Sequence, residues 1–353
     1  MKTTSFLLAV FAVAPFVCAQ DGKKAPAASG AQMPDPKVPE HQALRAFVGD
    51  WQSTMKMEAV PGVPGMEKAQ ESTGSEHCEL VCNGLWLKVT AEGTEAGKQC
   101  QGIWLLGYDP QAKAYTGLYA GSMDEASSTM TGSFDAAKKT WTFTGESPFG
   151  AFRSVLVWHD DDSSTETCYM VADGKETKCM EMVRKRATGG KTNAAPAAFT
   201  KPAAQELAVL AESVGRWDAT IRISAPGAPP AEEKGTETIV PMCDGKWYWS
   251  DFKGTMMGTP FDGHSLTGYE PKTKKYVAWW IDSGTARWSR TEGEYDAAKK
   301  ALVMIGKTTG VDGQPMTIEK TMTGGPDHRV QQVIMKTASM KLGMQFDYER
   351  SKN

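Results

Sequence analysis

The residues of this chain best suited to chemistry gather in its second half. Lys246-Trp247-Tyr248-Trp249, His264, Trp279-Trp280-Ile281-Asp282 and Arg287-Trp288-Ser289-Arg290 combine large aromatic rings with groups that carry or exchange protons. Rings supply apolar contact area and a guanidinium supplies charge, which together suit a small, partly apolar, anionic ligand. In a β-strand successive side chains point to opposite faces, so only half of these residues can share one side. If Tyr248, His264 and Trp280 share an inner face, they line a pocket with Trp249 in the same run and Arg287 or Arg290 offering the charge. The competing reading makes the aromatics core and girdle residues and the charges cross-strand pairs.

Catalytic patterns are missing. There is no Gly-x-Ser-x-Gly elbow, no His-Glu-x-x-His and no phosphate loop; the Gly-Lys-Thr triplets at 190–192 and 306–308 lack the glycine five positions earlier. Asp282 with His264 is the one pair worth inspecting for acid–base work, and nothing supplies a nucleophile to it, so a role other than catalysis is expected. Cys78 and Cys82 stand without a second Cys or His pair, so the spacing predicts no metal site. The five histidines, 41, 77, 159, 264 and 328, are scattered. His328 is the one late candidate for a haem ligand, neither last strand carries a histidine, and no cofactor is expected.

The amino terminus bears on the compartment. Lys2, an apolar run from Phe6 to Val17 and the small Ala19 form a secretory signal peptide over 1–19, which predicts an exported protein, periplasmic or secreted. No other stretch approaches the roughly 20 apolar residues of a membrane span. With 39 basic and 42 acidic residues the formal charge is -3, and no basic stripe marks a nucleic-acid surface. Cys18 leaves with the signal, and the remaining six cysteines permit disulfides in an oxidising compartment. Cys168 and Cys179 flank Asp173-Gly174, so a hairpin turning there sets them opposite each other, as a disulfide or as two buried thiols.

The elements that position these residues come in duplicate. Gly107-Tyr108-Asp109-Pro110 recurs as Gly268-Tyr269-Glu270-Pro271, and Phe134-Asp135-Ala136-Ala137-Lys138-Lys139 as Tyr295-Asp296-Ala297-Ala298-Lys299-Lys300. Cys82-Asn83-Gly84-Leu85-Trp86 recurs as Cys243-Asp244-Gly245-Lys246-Trp247, all three blocks displaced by 161. The sequence thus divides into a leader over 20–37, a first repeat over 38–186, a polar linker over 187–202 and a second repeat over 203–353.

Within each repeat, short Val, Thr, Tyr, Trp and Phe segments alternate with Asn-Gly, Asp-Gly and Asp-Ala-Ala-Lys turns about every ten residues, which predicts consecutive antiparallel hairpins. Helix patterns occur only over 39–48 and 203–214. About ten strands with no helices to cover them satisfy their edges by closing into an up-and-down barrel; a two-sheet sandwich is the alternative. A short helix, then Gly49-Asp50-Trp51 or Gly215-Arg216-Trp217, then a basic residue on the last strand resembles the lipocalin and calycin pattern. The ordered set, with Gly-Tyr-Asp-Pro and the Ala-Ala-Lys-Lys turn, resembles a bacterial family of domains of unknown function, family 1579. The resemblance implies all-β, lipocalin-like barrels in which Trp51 and Trp217 plug the base and Arg184 and Arg350 lie over them, and it lends no activity. Two functions follow as expectations: a small-molecule binder, or a pair of filled barrels serving as an interaction module of the cell envelope.

Overall fold

The computed structural model describes residues 35–60, 67–95, 98–147, 150–188, 205–227, 229–310 and 313–352. The expected signal peptide, the leader up to 34 and the linker from 189 onward lie outside the described residues.

A 3-10 helix, Pro39–Phe47, leads into β1 Gly49–Met57, β2 Gln70–Val81, β3 Trp86–Glu95, β4 Lys98–Asp109 and β5 Ala114–Gly121. The first repeat continues through β6 Ser128–Asp135, β7 Thr140–Ser147, β8 Gly150–Trp158, β9 Ser163–Ala172 and β10 Lys175–Arg186. Helix α1, Gln205–Ala211, opens the second: β11 Gly215–Ser224, β12 Ala231–Met242, β13 Trp247–Met256, β14 Thr259–Glu270 and β15 Lys275–Asp282. Then come β16 Thr285–Asp296, β17 Ala301–Thr309, β18 Pro315–Gly324, β19 His328–Lys336 and β20 Lys341–Arg350. Each strand pairs antiparallel with its chain neighbours, β1 pairs with β10 and β11 with β20, so both repeats are closed ten-stranded barrels and the sandwich is excluded. No helix among the described residues is long and apolar enough to cross a membrane.

The turns follow their residue chemistry. Asp173 and Gly174 take φ of 50° and 71°, the left-handed pair of a tight hairpin. Asp135 and Asp296 each accept the amide N–H groups two and three residues on, which closes the Asp-Ala-Ala-Lys turns. In the hairpin below Asp173, Cys179 is the extra residue of a bulge, and Met180 stands opposite Cys168. Both cysteines are free thiols in contact: Cys179 Sγ donates to the Cys168 carbonyl at 3.3 Å.

Each barrel floor is built on its Gly-x-Trp. Trp51 is 1 % and Trp217 0 % exposed, and each indole N–H donates to a carbonyl four residues earlier, Phe47 at 2.7 Å and Ser213 at 2.8 Å. The arginine over Trp51 is Arg186, with its guanidinium 4.1 Å from the ring; Arg350 covers Trp217 at 4.3 Å. The ladders agree, since Trp51 faces Arg186 and Trp217 faces Arg350. Arg184, expected to fill this role, is two residues short of it and points into the barrel. Gly49 and Gly215, with φ of 128° and 131°, leave room for these arginines; a Cβ at Gly49 would meet Arg186 Nη1 at 2.6 Å.

The barrels touch through their outer walls. Trp86, Ile103 and Leu118 of the first join Trp247, Leu266, Trp279 and Ile281 of the second in one apolar seam. The seam is nearly self-complementary: the turn at Cys82 meets β14, and its repeat at Cys243 meets β4. Glu270, which replaces the turn-closing Asp109, instead accepts from Ser127 Oγ of the first barrel at 3.0 Å. Trp217→Ala is expected to cost about 3 to 5 kcal/mol in urea unfolding, whereas Val303→Ala, at an exposed position, should stay within about 0.5 kcal/mol.

Candidate ligand-binding site

The two lumens differ in what fills them. In the first, Trp51, Phe47, Trp141, Trp158 and Tyr115 pack in edge-to-face and tilted pairs, with centroids 4.5–5.4 Å apart. Its Arg184 is held by Glu76 at 3.0 Å and Glu166 at 2.8 Å. In the second, Leu302 and Met304 stand where the repeat places Trp141 and Phe143, and the ladder sets Gly324 where the first barrel has Trp158. Rings have been exchanged for smaller or more flexible groups. A cavity of about 60 Å³ results, lined by Tyr248, Ser250, Trp280, Lys320, Phe346 and Tyr348 among others.

The polar groups of this cavity are organised about Glu237, the repeat of Glu76. Its carboxylate accepts from Arg329 and from Ser250 Oγ, and it faces the Tyr348 hydroxyl. Arg329 comes from β19, whereas Arg184 in the first barrel comes from the last strand. It is sandwiched between Trp217 at 4.5 Å and Tyr348 at 4.2 Å. Tyr348 takes the position that Arg184 holds in the first barrel, since Ser53 faces Arg184 and Ala219 faces Tyr348. Burial, reinforced by Glu237, drives the Tyr348 phenol well above its usual range. Burial alone pushes Tyr248 up to about 12.

Lys320 is the group left over. Its Nζ has no hydrogen-bond or ion-pair partner among the described residues, although it lines the cavity. Burial pulls its pKa below the usual lysine value, Glu237 opposes that and Arg329 adds to it. Glu237 is taken by Arg329, Ser250 and Tyr348, so among the described residues that line the cavity two cations, Arg329 and Lys320, stand against one anion.

Of the six residues singled out by sequence, Tyr248 and Trp280 line this lumen. Trp249, His264 and Arg290, on β13, β14 and β16, face outward and belong to the seam. Trp249 stacks on His264 with centroids 5.0 Å apart, and Arg290 bonds Glu292 at 2.6 Å. Arg287 donates to Gln111 Oε1 of the first barrel at 2.9 Å and to the Gly310 carbonyl at 2.7 Å. His264 and Asp282 lie on opposite faces of the wall, so they do not form a catalytic pair. Asp282 instead accepts from Trp280 Nε1 at 2.7 Å and from the Gly284 N–H at 2.9 Å. The groups that sequence reasoning missed, Glu237, Lys320 and Arg329, carried one available signal. Each is charged at an inward position of a strand whose inward neighbours, such as Ile239, Met322 and Gln331, are uncharged.

Burial raises the Asp282 carboxyl from 3.8 to about 6. Between those values the folded state holds a proton that the unfolded chain has lost, so stability falls as pH rises through the window. Asp282→Asn keeps an acceptor for Trp280 and removes this dependence. In urea unfolding at pH 4 and pH 7 the variant is expected to gain, relative to wild type, on the order of 2 kcal/mol at the higher pH.

The model of a family described as "Protein of unknown function (DUF1579)" matches residues 36–186 and again 202–350. No curated protein matches the chain in sequence. Among solved structures, the S-type phycobiliprotein lyase CPES from Guillardia theta is 14% identical, covering 40% of this chain and 90% of its own, with a TM-score of 0.32. Rv2717c from M. tuberculosis is 15% identical over 42% of this chain and 98% of its own, with a TM-score of 0.33. A DUF3598-family protein of unknown function from Nostoc punctiforme is 10% identical over 89% of this chain and 100% of its own, with a TM-score of 0.25.

Proposed function

This chain belongs to the DUF1579 family, with two tandem copies of its domain, and from that premise we propose that it is an exported, lipocalin-like protein whose second barrel binds a small, partly apolar anion. The first barrel is then a filled scaffold. The amino-terminal signal pattern supports export, and the short helix followed by Gly-x-Trp, with an arginine laid over the indole, supports the lipocalin-like assignment.

Lys320 carries the binding reading. An ammonium partly withdrawn from water and without a partner is under-solvated, and an incoming carboxylate would meet it with a charge-assisted hydrogen bond. The apolar remainder of the ligand would lie along Phe346, Met304 and Trp280. At about 60 Å³ the cavity admits only a few heavy atoms as it stands, so a longer tail must displace the flexible Met304 and Met322 side chains. That same volume, well below the roughly 300 Å³ of ordinary metabolite pockets, is the observation favouring the second reading, filled barrels that act as an interaction module.

The two readings separate in a thermal-shift and calorimetric titration with octanoate and octanol. Octanoate is expected to bind and raise the melting temperature, octanol to do neither. Lys320→Met should abolish octanoate binding, because it removes the ammonium that the carboxylate would meet. Tyr248→Ala and Trp280→Ala should weaken binding. If octanoate and shorter carboxylates leave wild type unchanged, the filled-barrel reading stands instead; if Lys320→Met binds as well as wild type, the assignment of the anion to Lys320 is overturned.

A further inference from the structure

The seam between the barrels contains a cluster that packing does not explain. Cys82, from the turn after β2, meets Asp262 and His264 of β14, and their ligating atoms lie within 4.8 Å of one another. His264 Nε2 is 3.7 Å from Asp262 Oδ2, and on the other side of the ring Nδ1 is 3.8 Å from Asp251 Oδ1. Both separations are too long for hydrogen bonds. The residue is only 4 % exposed, yet neither ring nitrogen has a hydrogen-bond partner among the described residues, and Asp251 Oδ1 has none either. A neutral imidazole carries one N–H and one lone pair, and leaving both unsatisfied in the interior costs about 1 to 3 kcal/mol for each. Something at this point should meet them.

The duplicated architecture supplies an internal control. At the same offset of 161, the other half of the seam places Cys243, Gln101, Ile103 and Thr90 where this half has Cys82, Asp262, His264 and Asp251. The geometry of the two halves is alike in detail: the Asp262 N–H bonds Ser283 Oγ at 3.2 Å, and the Gln101 N–H bonds Ser122 Oγ at 2.9 Å. Where the seam needs only packing, Ile103 fills the position and is fully buried. In the Cys243 half, Gln101 Oε1 accepts from the Asp244 N–H at 3.3 Å and Cys243 Sγ donates to the Ala120 carbonyl at 3.6 Å, so that half has its polar groups engaged. The cysteine is common to both halves. The imidazole and the two carboxylates occur in one.

We propose that Cys82, Asp262 and His264 bind one divalent transition-metal ion of the zinc class, which straps the two barrels together. Sulfur, nitrogen and oxygen donors at this ratio suit zinc, which takes three protein ligands with a fourth position open to water. Ligand atoms of a tetrahedral zinc lie about 3.3 to 3.6 Å apart, so the histidine–aspartate gap of 3.7 Å is nearly of the right width. The Cys82 sulfur, within 4.8 Å of the other two donors, would close in on the ion by side-chain rotation. With Nε2 on the metal, Nδ1–H points at Asp251, the carboxylate that fixes the tautomer. Asp262 has a side chain 31 % exposed and gives the ion its path in from solvent. Because the thiolate belongs to one barrel and the other two ligands to the next, binding fixes their mutual orientation.

The test uses the purified full chain, stripped with a chelator and titrated with Zn²⁺ against a chromogenic competitor, then with Co²⁺ for spectroscopy. One equivalent of metal is expected, with a near-ultraviolet thiolate-to-cobalt charge-transfer band. Cys82→Ser should lose that band and Cys243→Ser should keep it. His264→Gln and Asp262→Asn should lose stoichiometric uptake, and Asp251→Asn should bind about 10- to 100-fold more weakly. Zn²⁺ should raise the melting temperature of wild type and leave that of Asp262→Asn unmoved, with near-ultraviolet circular dichroism confirming that each variant is folded. Absence of stoichiometric uptake by wild type overturns the proposal, and so does uptake that survives both His264→Gln and Asp262→Asn or a charge-transfer band that survives Cys82→Ser.

Discussion

Everything in this molecule depends on the backbone hydrogen bonds between the first and last strand of each repeat. A ten-stranded meander with free ends would expose two rows of unpaired N–H and C=O groups. Pairing Trp51 with Arg186 and Trp217 with Arg350 removes both edges at once, and it does so at the tryptophan that floors the barrel. The indole, the arginine stacked on it and the glycine that leaves space for that arginine therefore form one unit, in which closure of the backbone and burial of the ring support each other.

Closure also gives every strand an inside and an outside, and the chain uses the two differently in its two copies. Inside the first barrel, aromatic rings pack against one another and Arg184 is neutralised by two carboxylates. The second barrel gives up rings at Leu302, Met304 and Gly324 and gains Lys320, which opens a small cavity with excess positive charge. Outside, the same strands carry the seam. Burying Trp247 and Trp279 there rather than in a lumen explains how a chain so rich in tryptophan holds one barrel only partly filled. Duplication thus freed one copy from part of its packing duty while the other kept it.

Much of this architecture was legible in the residues. The offset of 161, the Asp-Gly and Asp-Ala-Ala-Lys turns and the Gly-x-Trp pairs dictate two copies of an antiparallel meander, because turn chemistry and strand alternation are local. The site was legible only in part. Tyr248 and Trp280 fall on the lumen, and Trp249, His264 and Arg290 do not, because the aromatic runs in β13 and β15 place rings on both faces of the wall and give no parity signal. Arg184 was assigned to the floor for a similar reason: it and Arg186 share one face two residues apart, and only the register with β1 separates the arginine over Trp51 from the one inside.

The sequence by itself determined what local chemistry controls: strands, turns, the tandem repeat and the tryptophan at each floor. Tertiary structure alone decided which charges meet. Glu237, Lys320 and Arg329 come from β12, β18 and β19, and Cys82 is separated from His264 by more than the length of one repeat. The physical reason is the two-residue period of a strand. A shift of one residue carries a side chain from lumen to seam, and the register that settles it is set by partners far away in the chain.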